Sequence, residues 1–172
     1  MRWLVRLLIL AAIAALAVFA GRLALLLLGA VLVLALAGAI MAAVRGSRAV
    51  SAFRRNWGAQ GKDLLIVYSD NPQSAPHVEQ EWLPHWRDRA VVLNWSDRTQ
   101  WPESPEVDLF RAVVGRKEHN PVVIVVPRTG AIKVLRFWRA FREHAQGKSD
   151  TLNAMEDRLD ALLQEEPPIE RL

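Results

Sequence analysis

The sequence predicts an α/β domain carried behind a transmembrane helical hairpin. Three observations support this. From Trp3 to Val44 the only charged side chains are Arg6 and Arg22, in a run of Leu, Ala, Val, Ile and Gly. After Gly61, short apolar runs rich in β-branched residues alternate with segments of helical periodicity. Their order, β-α-β-α-β-β-α, implies a four-stranded mixed sheet covered by helices. The expected divisions are a hairpin over 1–44, a basic juxtamembrane linker over 45–61, the α/β domain over 62–166 and a tail over 167–172.

The hairpin rests on length. One helix over Trp3–Val44 would be roughly 60 Å long, about twice the hydrocarbon core of a bilayer. It would also place Arg22 near mid-membrane at a cost of ~2.5–3.5 kcal/mol. Splitting at Gly21-Arg22 leaves spans over 3–20 and 23–44, each long enough to cross. Small residues four apart (Ala11/Ala15, Ala35/Ala39, Gly38/Ala42) would let two such helices approach closely. Arg2 and Arg6 precede the block and Arg45, Arg48, Arg54 and Arg55 follow it, so the positive-inside bias puts both termini in the cytoplasm. A signal peptide cleaved after Ala20 is the alternative; the second span would then stop transfer and leave the same domain cytoplasmic.

Charge divides with this architecture. Residues 1–55 hold seven Arg and no acid, whereas 56–172 hold 15 Lys+Arg against 18 Asp+Glu, so +7 and −3 sum to the chain's +4. The basicity belongs to the membrane end and gives no argument for nucleic acid. Without cysteine, disulfides, thiol redox chemistry, iron–sulfur clusters and Cys-ligated zinc are excluded. Arg far outnumbers Lys, 18 to 4, and Ala and Leu dominate, a composition typical of a GC-rich bacterial source.

In the juxtamembrane segment Val50, Phe53 and Trp57 fall at helical spacing among cations. Arg45, Arg48, Phe53, Arg54, Arg55 and Trp57 are therefore candidates for a short helix on the anionic leaflet, or for a solvated linker that only fixes topology. Asp63–Ser69 reads as a buried strand ended by the turn Asp70-Asn71-Pro72. Ser74 is placed to cap a helix over Ala75–Asp88, with Val78, Trp82 and Trp86 on its inner face and Pro84 bending or ending it. Ala90–Trp95 is the second strand. Ser104-Pro105 opens a helix presenting Val107, Phe110 and Val114, closed by Gly115. Val122–Val126 is the third strand, Pro127–Gly130 a hairpin turn and Ala131–Phe137 the fourth strand. A last helix starts at Ser149 or Asp150, with Leu152, Met155, Leu159, Leu162 and Leu163 as its stripe, and stops at Pro167-Pro168.

A parallel β-α-β half followed by a hairpin and a final helix resembles the thioredoxin fold. The Asp70–Ser74 turn stands where that family has its Cys-x-x-C loop, and Asn120-Pro121 stands at its cis-proline position. The redox cysteines are absent, so the resemblance implies the fold without the oxidoreductase activity.

Two constellations could carry function. Asp70, Asn71 and Asp97 follow the first two strands, at the edge where ligands bind in such sheets, and the resemblance brings His119 near Asp70. Asp70, Asp97 and His119 are candidate acid–base groups; strand-end turn chemistry is the alternative. Lys133, Arg136, Arg139 and Arg142 interleave with Phe137, Trp138 and Phe141. With Asn71 and Arg128 these arginines are candidates for anion or lipid-headgroup contact, against core packing with a solvated cationic edge. His77, His85, His119 and His144 show no metal-ligand spacing, and no Gly-rich phosphate loop is present, so neither metal nor cofactor is expected. The expected role is a non-catalytic binding or scaffold module at the cytoplasmic face of a bacterial membrane, contacting lipid or a protein partner and no nucleic acid. The alternative is an enzyme working on a phosphate-bearing or membrane-derived substrate through the loops after the first two strands.

Overall fold

The computed structural model describes residues 2–115 and 120–165, with side chains described at all of these except 2, 4–20, 23 and 24. The chain divides into two compact units, Met1–Val44 and Arg45–Leu172.

Helix α1 spans Arg2–Asn56. The turn expected at Gly21-Arg22 is absent, since the backbone is helical through both residues. Local chemistry explains this difference. An interior Gly costs only about 1 kcal/mol relative to Ala, and the first proline of the chain is Pro72. Within the first unit Leu25–Leu28, Val31–Leu34 and Leu36 are more than half exposed. From Leu25 to Val44 this helix is apolar on every face, and by length and composition it is the one among the described residues long and apolar enough to cross a membrane.

The second unit begins inside the same helix, at Arg45. Ala49 and Phe53 are buried, and Val50 and Trp57 pack beside Phe53 in one of two core clusters. Arg54 Nε donates to Pro127 O at 2.8 Å, and its terminal nitrogen donates to Gly130 O at 2.7 Å. These bonds tie the helix end to the far hairpin. A 3₁₀ turn, Gly58–Gln60, then leads to Gly61, whose φ of 80° suits a residue without a Cβ.

Four strands follow: β1 Leu64–Tyr68, β2 Ala90–Asn94, β3 Val122–Val125 and β4 Lys133–Arg136. The sheet order is β2-β1-β3-β4. β1 pairs parallel with β2 and antiparallel with β3, and β3 pairs antiparallel with β4. Because side chains alternate along a strand, β1 feeds both faces. Leu64, Ile66 and Tyr68 enter one cluster, and Leu65 and Val67 the other. This is why the run reads as uniformly apolar.

The first cluster is covered by three helical stretches. Residues 75–86 form α2, in which Ala75–His77 and Leu83–Trp86 flank a π-helical Val78–Trp82. Pro84 does not end it. A proline clashes with the carbonyl four residues back and cannot donate to it; the wider π turn, closed by Leu83 N–H to Val78 O, accommodates that defect. Helices α4, Trp138–His144, and α5, Asp150–Gln164, complete this layer. Helix α4 is an addition to the expected order. Phe137, Ala140 and Phe141 are its buried stripe, at helical spacing directly after a strand that ends in the same apolar pattern.

The second cluster is covered by the end of α1 and by α3, Pro105–Val113, whose Val107, Leu109 and Phe110 are buried while Val114 is only partly so. Gly115, with φ 90°, follows its end. Ser74 and Ser104 stand at the expected N-cap positions, but neither side chain makes a cap bond. The Asn120-Pro121 bond is cis. His119 and the tail 167–172 lie outside the described residues.

Candidate functional site

The ends of β1 and β2 lie side by side, as a parallel pair requires, and their turns form a polar cluster. Asp70 Oδ1 accepts from Asn94 Nδ2 at 2.7 Å, and Asp70 N–H donates to Ser96 Oγ at 3.0 Å. Asn94 Oδ1 in turn caps the 3₁₀ turn Trp95–Asp97 by accepting from Ser96 N–H at 2.9 Å. Asn71 Oδ1 accepts from Gln73 N–H at 3.0 Å, closing the first turn on itself. Asp70 therefore holds the two strand ends together, while Asn71 shapes its own turn. Asp97 is exposed, and His119 cannot be placed with them.

Tyr68 sits beside this cluster, 8 % exposed, with its hydroxyl donating to Glu79 Oε1 at 3.1 Å. Burial raises its pKa above the ordinary 10.0, and Glu79, Asp70 and Asp97 add to the rise. A raised pKa means the folded state keeps the phenolic proton longer, so Tyr68's contribution to stability is complete below pH 10 and is lost as pH rises through the folded value. The chain has a single tyrosine. Absorbance near 295 nm should thus show one ionisation above the ordinary range, moved down by Glu79→Gln.

The basic-aromatic stretch resolves into core and edge. Phe137 and Phe141 are buried, whereas Trp138 is 38 % exposed with the Arg142 guanidinium 5.0 Å from its ring centre. Arg139 Nε donates to Glu143 at 2.8 Å, and Thr151 holds the other oxygen at 2.6 Å. Thr151, then Arg139, keep the Glu143 carboxyl below its ordinary pKa. Arg128, Lys133 and Arg136 are exposed at the β3–β4 hairpin.

Of the residues expected at a lipid interface, Arg45, Arg48 and Arg55 are exposed. Phe53 is buried in the core, and Arg54 donates to hairpin carbonyls. Trp57 is also turned to the domain, donating from Nε1 to Glu106 at 2.8 Å.

Two clefts hold chemistry that the sequence did not single out. Between α2 and α5, Glu156 accepts from Trp82 Nε1 at 2.6 Å and lies 2.7 Å from His77 Nε2, in a cleft also lined by His85, Trp86 and Asp160. Among the described residues no cluster there or elsewhere has the geometry of a metal site. The second cleft, of about 360 Å³, opens beside the turn after β2 and is lined by Trp95, Arg98, Trp101, Phe110, Arg111 and Gly115. Its three rings meet edge to face, with centres 5.4–5.8 Å apart. Trp101 is fixed by its Nε1 bond to Asn94 O at 2.9 Å. In sequence the signal was two Trp and a Phe at no regular spacing, which periodicity cannot group.

No family model, curated protein or solved structure matches this chain.

Proposed function

We propose that the chain is a membrane-anchored binding module whose α/β domain faces the cytoplasm of a bacterial cell. The observation that carries this is the stretch Leu25–Val44, apolar all round and exposed along its length. Water does not tolerate such a surface on a helix, and a bilayer core of about 30 Å matches it. Arg45, Arg48, Arg54 and Arg55 at its C-terminal end favour the cytoplasmic side. Exposed Arg45, Arg48 and Arg55 are the cations placed to meet anionic lipid.

A finer part of the proposal is that the block crosses twice. The 42 residues Trp3–Val44 make about 63 Å of helix, and a straight crossing would strand Arg22 in hydrocarbon. A break at Gly21-Arg22 removes both problems, although it interrupts the helix the structure carries there. A cysteine at Arg2 should then react from the same side as one in the domain; reaction from the opposite side means a single crossing. For the domain we propose a thioredoxin-like arrangement, supported by the β2-β1-β3-β4 order with one parallel pair. Binding is favoured over catalysis because Asp70 is engaged in holding the strand ends and Asn71 in closing its own turn.

The test is membrane retention. The full chain should stay in the membrane pellet after alkaline carbonate washing. Leu32→Arg with Leu36→Arg, each costing about 2.5–3.5 kcal/mol at mid-span, should lower the retained fraction by disrupting the span that carries the domain. Wild-type protein washed free by carbonate would overturn the proposal.

A further inference from the structure

We propose that the cleft between the turn after β2 and helix α3 binds a small amphipathic anion, a planar ring bearing a phosphate or carboxylate. This inference stands apart from membrane anchoring, because it rests on residues of the α/β unit alone.

Two features of the cleft point to that chemistry. Its wall is aromatic: Trp95, Trp101 and Phe110 meet edge to face, and Trp101 is held in place by the carbonyl of Asn94. Phe110 is buried beneath the two indoles, so the ring surface open to a guest is that of the partly exposed Trp95 and Trp101, on which a planar guest stacks at little entropic cost. The mouth is cationic. The Arg98 guanidinium lies 5.1 Å from the Trp95 ring centre and donates to Trp95 O at 3.3 Å, which fixes its direction. Arg111 lines the same cleft from α3. Neither arginine has an ion-pair partner among the described residues.

Phe110 is fully buried and backs the two Trp rings as part of the core, whereas both arginines are exposed and Trp95 and Trp101 are only partly buried, so cationic and indole surface meet solvent together. Guanidinium forks match phosphate and carboxylate oxygens, and the rings supply the apolar contact that a bare anion cannot use. The volume, about 360 Å³, falls in the range of small-ligand pockets. Gly115 contributes no side chain to the rim.

Calorimetric titration of the full chain in zwitterionic lipid nanodiscs tests this, with phenyl phosphate, inorganic phosphate and phenol as probes. Phenyl phosphate should bind at least tenfold more tightly than either fragment. Arg98→Gln and Arg111→Gln should each weaken it about tenfold. Arg87→Gln, at an exposed arginine of another cleft, should leave it unchanged. Both cleft substitutions lie on the surface, and an unaltered thermal unfolding curve would show that the fold is intact. Equal affinity for phosphate and phenyl phosphate, or undiminished binding by the Arg98→Gln/Arg111→Gln double variant, would overturn the assignment. So would the absence of measurable heat with all three probes.

Discussion

Phe53→Ala should destabilise the α/β unit by about 3–5 kcal/mol, read as a fall in the urea midpoint with unchanged slope. Phe53 is fully buried and packs in the cluster formed by Leu65, Val67 and the α3 residues Val107 and Phe110. Truncation removes the transfer free energy of a whole ring and leaves a cavity that a sheet on one side and a helix on the other cannot collapse to fill. Against a typical domain stability of about 5–15 kcal/mol, that loss is a large fraction. A Phe53 that served only to touch lipid would give almost no change, so the substitution separates the two roles. Trp57→Phe is the milder companion. It keeps an aromatic ring but loses the indole N–H bond to Glu106 and part of the packing, for about 1–2 kcal/mol.

Arg89→Lys should cost about 3 kcal/mol despite conserving charge. Arg89 forms a two-pronged pair with the Asp63 carboxylate, Nε to Oδ1 at 3.0 Å and a terminal nitrogen to Oδ2. Its other terminal nitrogen donates to Leu163 O at 2.9 Å, at the end of α5. Backbone bonds from Asp63 and Leu64 N–H to Arg89 O close the same junction. One side chain therefore ties the starts of β1 and β2 to the C-terminus of a helix. Both charged groups are less than a fifth exposed, so breaking the fork leaves a carboxylate and a carbonyl short of donors in a poorly solvated place. A lysine offers a single point of charge and cannot span all three acceptors. Urea unfolding of Arg89→Lys beside Asp63→Asn checks this, and a loss below 1 kcal/mol in both would mean the fork contributes little.

The sheet was legible because its strands are continuous β-branched runs bounded by turn residues. Leu64–Tyr68 and Val122–Val125 lie within a residue or two of where composition put them. The stripe of α5 is legible from a different signal, its period, with Leu152, Leu159 and Leu163 buried at helical spacing. Helix α4 was missed because Phe137 ends a strand and opens a helix at once, so a period of two runs into a period of 3.6 without a breaker. The end of α1 was misread for a different reason. Val50, Phe53 and Trp57 form a stripe that suits a lipid surface or a protein core equally, and only the tertiary partners distinguish these. The polar residues at the strand ends were located correctly, but their engagement with one another depends on register. The aromatic cleft was invisible because Trp95, Trp101 and Phe110 come from a turn, a loop and a helix and share no period.

The most direct measurement of the membrane account uses the absence of cysteine from the chain. Lys148→Cys, at an exposed position between α4 and α5, would be the single thiol for an impermeant maleimide. In intact bacterial spheroplasts it should stay unlabelled and react fully once the membrane is opened. Labelling at the same rate before and after opening would place the α/β unit outside the cytoplasm and contradict the account.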